Sequence, residues 1–210
     1  MQSSQSTAKS RKVWDKMAGR YDRDMRFFEA KIFAGGREWV CSRAAGRVLE
    51  VAVGTGRNLR HYSPEVDLVG IELSPAMLVI ARQRASDLGR SVDLREGDAH
   101  ALPFPDDSFD TVVCVFSLCA ISDGQAALAE MRRVLRCGGR LLLLDHVESS
   151  RFVIRVLQRV AERITVPLQG ERYTLHTPPM VRAAGFDIVE SERLKAGVVQ
   201  RIHAVKPQRF

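Results

Sequence analysis

From residue 46 onward, short apolar runs alternate with longer segments of helical periodicity. Runs near 46–53, 66–71, 91–96 and 109–116 have the length and bounding polar residues of buried strands. A fifth, at 140–147, holds four consecutive leucines and predicts a strand buried on both faces. Between these, segments near 55–62 and 74–88 read as helices. The stretch 124–135 carries Ala126, Ala127, Leu128, Met131, Val134 and Leu135 at helical spacing. A helix near 150–165, a short one at 178–184 and two closing strands near 185–193 and 196–205 complete the series. Alternation of this kind predicts an α/β fold with a doubly wound sheet. Ahead of it, helices near 11–33 and 36–45 predict a lid, and polar residues 1–10 a disordered tail. Residues 11–210 then form one domain, long enough to bury about 70% of its unfolded surface.

The first strand breaks into Gly54-Thr55-Gly56, where glycines let the backbone approach a ligand and a following helix offers free N–H groups. A glycine pair after a buried strand also serves as a plain turn. The dinucleotide pattern G-x-G-x-x-G is incomplete, because Leu59 stands where its third glycine falls. The phosphate-loop pattern G-x-x-x-x-G-K-[ST] is absent. Glu72 closes the second strand and Asp98 follows the third. Strand ends of a parallel sheet share one edge, so both carboxylates emerge beside the glycine loop. There Glu72 can accept hydrogen bonds from a ribose and Asp98 from an exocyclic amine. Glu72 also reads as a solvated residue before the helix start Ser74-Pro75, and Asp98 as a loop aspartate.

The chain resembles the class I S-adenosylmethionine-dependent methyltransferases, near the group of quinone-biosynthesis C-methyltransferases and bacterial phosphatidylethanolamine N-methyltransferases. The similarity rests on Tyr21-Asp22, the run 49–56, the run 70–74, Gly97-Asp98-Ala99, Leu102-Pro103-Phe104, Phe109-Asp110 and the run 135–139. It implies a Rossmann-like sheet of seven strands with the last antiparallel, an N-terminal helical lid, and S-adenosylmethionine as methyl donor with S-adenosylhomocysteine as product. By the same resemblance Gly54, Thr55 and Gly56 face the methionine part of the donor, Glu72 the ribose, Leu73 and Met77 the adenine face, and Asp98 and Ala99 the adenine edge. Phe116 lies under the sulfonium, and Tyr21 covers the methionine carboxylate from the lid. Two positions depart from the pattern: Ala52 stands for a usual glycine, and Cys137 for a usual proline. Met77 and Phe116 also fit the core as ordinary apolar residues.

The net charge is +7, which permits anionic partners without selecting one. Arg151, Arg155, Arg159 and Arg163 repeat every fourth residue and so share a helix face. They are read first as the solvated face of a helix roofing the substrate pocket, and second as a basic amphipathic surface for anionic lipid. No apolar stretch reaches the length of a membrane span, and the first eleven residues do not read as a signal sequence. Cys41, Cys114, Cys119 and Cys137 form no C-x-x-C pair, so they read as reduced residues of a cytoplasmic protein with no metal site.

Methyl transfer is an in-line displacement that depends on alignment, with a base needed only where the acceptor must lose a proton. His146 is the first candidate for that base. Asp145, Tyr173 and His176 are others, and each histidine also has a structural reading. The Asn/Asp-Pro-Pro-aromatic sequence associated with nucleobase amino methylation is absent after the fourth strand, where Ser117-Leu118-Cys119-Ala120 stands. No nucleic-acid module is attached. The expected acceptor is therefore a small molecule accepting methyl on N, O, S or C. A phospholipid head group, or a reaction in which the sulfonium is bound but no methyl is consumed, are the alternatives. The sequence does not fix an oligomeric state.

Overall fold

A computed structural model describes residues 2–31 and 35–208. Seven strands form one sheet in the order β3-β2-β1-β4-β5-β7-β6. They are β1 (Arg47–Val51), β2 (Asp67–Glu72), β3 (Asp93–Glu96), β4 (Phe109–Val115), β5 (Leu135–His146), β6 (Asp187–Leu194) and β7 (Val199–Val205). Neighbours from β3 to β5 pair in parallel. The last strand, β7, is antiparallel to both β5 and β6. The helices are α1 (Gln2–Lys31), α2 (Gly36–Cys41), α3 (Pro75–Asp87), α4 (Gly124–Val134), α5 (Phe152–Gln169) and α6 (Thr177–Ala183).

Successive strand residues point to opposite faces, and this divides the core in two. Leu49 and Val51 of β1 join Val112, Cys114, Leu141 and Leu143 against Leu128 and Met131 of α4. Val48, Val113, Val115, Leu142 and Leu144 pack on the other face, against Trp39 and Val40 of α2 and Leu78 and Ala81 of α3. Glu50 lies between Leu49 and Val51, so it faces the second side and is buried there at 2% exposure.

Several expectations are corrected. Helix α1 starts at Gln2, where a disordered tail was expected through residue 10. Thr7 of that segment donates to Asp98. Residues 32 and 33, expected at the end of the lid helix, lie outside the described residues. Helix α2 is six residues long and stops at Cys41. No α-helix follows the glycine loop over 55–62. The chain makes successive tight turns, with a single 3-10 turn at Leu59–His61, because Gly54 and Gly56 take positive φ and Asn58 spends its side chain on buried partners. Strand β1 ends at Val51 because Ala52 also takes a positive φ. Strand β5 begins at Leu135 rather than at residue 140, and so includes Cys137-Gly138-Gly139.

Helix α5 departs furthest from expectation. Its inward side is polar: Gln158 donates to the Val147 and Tyr173 carbonyls, Glu162 accepts from Thr174, and the Thr165 hydroxyl donates to the Glu171 carbonyl. Val153, Val156, Leu157, Val160, Ile164 and Leu168 point to solvent. The solvated-arginine reading of this helix therefore describes only part of its outer face.

Candidate active site

The order of strands reverses between β1 and β4, and a crevice opens beyond their carboxyl ends, where open α/β sheets bind ligands. Tyr21, Gly54, Thr55, Glu72, Leu73, Met77, Asp98, Ala99 and Phe116 all line one cleft there. Gly56 does not. It sits behind the loop, where a Cβ would come within 2.9 Å of Leu59 and 3.2 Å of the Ala81 backbone. Its role is to let the loop press on α3.

Glu72 is the keystone of the rim. Its Oε2 accepts from the Gly54 amide and its Oε1 from the Ser74 amide, each at 2.9 Å. The carboxylate thus ties the first loop to the second and keeps lone pairs for a ligand in the cleft. Burial raises its pKa, and these amides oppose the rise. Ser74 caps α3 by accepting from Met77 N and donates its own hydroxyl to Asp15 of the lid. Asp98 accepts from the His100 amide, pairs with the His100 ring and accepts from Thr7. Burial pushes its carboxyl upward, and these partners more than offset it, leaving the pKa lowered.

Helix α1 closes the cleft from above. Ser10, Trp14 and Tyr21 face inward, with the Trp14 and Tyr21 rings edge to face at 6.2 Å. Asp22 holds the lid down: the Thr55 hydroxyl donates to it at 2.7 Å, and Arg57 and Arg84 pair with it. Burial raises the Asp22 pKa, but Thr55, Arg84 and Arg57 outweigh it and leave it lowered. With Thr7–Asp98 and Asp15–Ser74, the lid meets three separate rim loops.

Sequence reasoning missed a buried polar chain under the glycine loop. Arg37 of α2 donates to the Asn58 side-chain oxygen Oδ1, and the Asn58 side-chain Nδ2 donates to Glu50, both at 2.7 Å. Burial pushes Glu50 up to about 7, against Tyr62, Asn58 and Arg37. All three members of the chain reach the cleft wall, and the Arg37 guanidinium lies 5.3 Å from the Phe116 ring centroid. A charged residue inside the apolar strand β1 was the one available signal, and only the fold joins it to Arg37.

His146 stands at the end of β5, outside the cleft lining. Its ring packs on Phe116 at 5.1 Å and on Tyr173 at 5.6 Å. Burial lowers its pKa to about 4, so the imidazole is neutral at pH 7. The His146 and Cys119 amides both donate to Asp145, which joins the β4 and β5 ends. Burial drives Asp145 up to about 6. Tyr173 donates to Glu171. His176 sits at the start of α6 without a capping bond and pairs with Glu148.

The residues present fit an adenosyl sulfonium. A Cβ built on Gly54 would meet only Met77 Sδ, at 3.9 Å, so the loop leaves room over its backbone. Leu73, Met77 and Ala99 offer an apolar slot between the acceptor groups of Glu72 and Asp98, and Glu50 lines the same cleft.

A methyltransferase-domain family profile matches residues 49–143. A demethylmenaquinone methyltransferase of Deinococcus radiodurans is 42% identical over 61% of this chain and 56% of its own length. The chain therefore aligns with little more than half of that relative. A ubiquinone/menaquinone biosynthesis C-methyltransferase of Pseudomonas savastanoi is 30% identical over 97% of this chain and 91% of that protein. The solved structure of a S-adenosylmethionine-dependent methyltransferase from Thermotoga maritima superposes with a TM-score of 0.71 at 25% identity, covering 94% of this chain and 99% of that one. Sheet order, cleft and relatives agree: this chain belongs to the class I S-adenosylmethionine-dependent methyltransferases, in the family of the quinone C-methyltransferases.

Proposed function

We propose that the protein transfers a methyl group from S-adenosylmethionine to a small lipophilic acceptor, of the kind a quinone-type C-methyltransferase uses. The observation that carries this reading is the convergence of the three rim loops and the lid on one cleft with an apolar far wall. Phe116, Ala120 and Ile121 form that wall, beyond the carboxylates of Glu72 and Asp98. The donor supplies an activated methyl on a sulfonium, and the chain supplies alignment and exclusion of water.

In this reading Glu72 holds the ribose hydroxyls, Asp98 the adenine amine, and Leu73, Met77 and Ala99 the ring. Gly54 and Thr55 face the methionine end, which Tyr21 covers from the lid. Phe116 borders the acceptor. For a carbon acceptor, a ring proton must leave after the methyl arrives. His146, neutral at pH 7 and stacked behind Phe116, is the group we assign to receive it. Methylation of a phospholipid head group is not favoured, since a relative that aligns over 97% of this chain carries a quinone C-methyltransferase name. No described helix is long and apolar enough to cross a membrane. The four free cysteines, three of them buried, suit the cytoplasmic location this reading carries.

Three experiments test it. Glu72→Ala should weaken donor binding by about 1–3 kcal/mol, through loss of charge-assisted hydrogen bonds. Calorimetry finding unchanged affinity would remove Glu72 from the site. Turnover with quinol-type acceptors should release one S-adenosylhomocysteine per methylated product. Product formed without it would favour a reaction that binds the donor but keeps its methyl. His146→Ala should slow turnover and change its pH profile while leaving donor affinity intact. An unaltered profile would assign His146 to packing alone.

A further inference from the structure

Helix α5 is built inside out for a protein in water. Val153, Val156, Leu157, Val160, Ile164 and Leu168 are 43% to 69% exposed. Among the described residues, Val79 and Val189 are the only other large apolar side chains so exposed outside this helix. The six recur at three- and four-residue spacing and so form one continuous stripe. The polar side chains of the helix, Gln158, Glu162 and Thr165, are turned inward and hydrogen-bonded. A helix anchored by its polar side leaves its apolar side for something else to cover.

The charge along the stripe says what that is. Arg159 and Arg163 are exposed and lie toward one margin of the apolar face, where long cationic side chains reach past a buried surface to phosphates. Arg159 pairs with Glu148 at 66% side-chain exposure, so its guanidinium remains at the surface. The exposed arc contains no acidic residue, because Glu162, the one acid in α5, accepts from Thr174 on the inner side. A second copy of the chain would have to bring arginine rows together over this stripe, whereas an anionic bilayer neutralises them. The stripe also leads to the active site. A groove between Val13 of α1 and Val166, Pro167 and Leu168 of α5 shares Ser10, Ala120 and Ser122 with the cofactor cleft.

We propose that α5 is an in-plane docking helix for an anionic lipid bilayer, with its apolar stripe in the acyl boundary and its arginine margin at the phosphates. Docked in this way, the Leu168 end of the stripe opens the groove toward the lipid phase. This goes beyond the methyl-transfer reading and does not depend on it, since lipid binding is measured without donor or acceptor.

The full chain should float with vesicles of phosphatidylcholine containing about a third phosphatidylglycerol, and much less with phosphatidylcholine alone. Leu157→Ser with Ile164→Ser should weaken that binding at least about tenfold. The double variant should keep the wild-type melting temperature and donor affinity, because neither side chain is buried or lines the cleft. Arg159 and Arg163 changed together to Gln should weaken it several-fold, as should raised salt. Val160→Trp should blue-shift its emission on adding the anionic vesicles. Any of three results overturns the proposal: no vesicle binding by the wild type at low salt, binding untouched by the Leu157 and Ile164 changes, or a dimer that those changes split. The second would mean general attraction of a basic chain, and the third that a second copy covers the stripe.

Discussion

At the scale of single residues, the glycine loop carries a strain and a necessity side by side. Ala52 adopts φ 57°, the left-handed region that costs a side chain roughly 1–2 kcal/mol. This chain carries a methyl group there in spite of that cost. Ala52→Gly should raise stability in urea denaturation by up to about 1 kcal/mol, the gain being trimmed by the freer unfolded chain. A loss on that substitution would mean the methyl makes packing contacts that outweigh the strain. Gly56 is different: it combines φ 77° with atoms at 2.9 and 3.2 Å from a would-be Cβ. Gly56→Ala should cost on the order of 2 kcal/mol and weaken donor binding, because the loop must lift from α3. The glycine was visible in the sequence, but its close approach to the helix behind the loop was not.

Among the elements, α1 is held by polar latches more than by an apolar seam. Ala18 is its one fully buried apolar residue among those whose side chains are described. Asp22 is the central latch, about one-third exposed, so its ion pairs must be discounted for solvent screening. Asp22→Asn should weaken donor binding roughly fivefold. It should also speed tryptic cleavage at Arg20 and Arg23 without a matching change in global melting. Equal cleavage rates in wild type and variant would show that the lid is held by other contacts. The lid helix and its tyrosine were readable from the family pattern. Its starting point was not, because the latch residues Thr7 and Asp15 gain meaning only beside Asp98 and Ser74. The same limit hid the orientation of α5, whose periodicity is equally compatible with facing inward or outward.

For the molecule as a whole, buried ionisable groups shape stability against pH. Glu50 has a folded pKa near 7 against an ordinary value of 4.5. Its protonated form is the one the fold prefers, so its contribution is complete below about pH 4.5 and is lost as pH rises through about 7. Glu50→Gln should therefore become increasingly stabilising relative to wild type across that window, reaching on the order of 2 kcal/mol at pH 8. His146 has the opposite sign. Its folded pKa near 4 lies below 6.5, so the unfolded chain binds its proton first and stability falls as pH drops from about 6.5 toward 4. Melting curves across pH 4–8 for Glu50→Gln and His146→Ala separate the two; a flat Glu50→Gln difference would mean that the carboxyl titrates alike in the folded and unfolded chain.

Local pattern was enough for the strands, their order of appearance and the family. Each strand's apolar run, and each acid or glycine at its end, is written within a few adjacent residues. Those same few residues set which atoms meet the rim, because a parallel sheet aligns its carboxyl ends whatever the intervening chain does. Tertiary structure alone decided the rest. The Arg37–Asn58–Glu50 chain joins residues from α2, the loop and β1, and the Asp22 latch spans 62 positions to Arg84. Which face of α5 meets the protein depended on whether Gln158, Glu162 and Thr165 found backbone partners in the 147–174 region. Hydrogen-bond geometry between segments distant in sequence has no periodicity to read, and it is what turned this helix's apolar side outward.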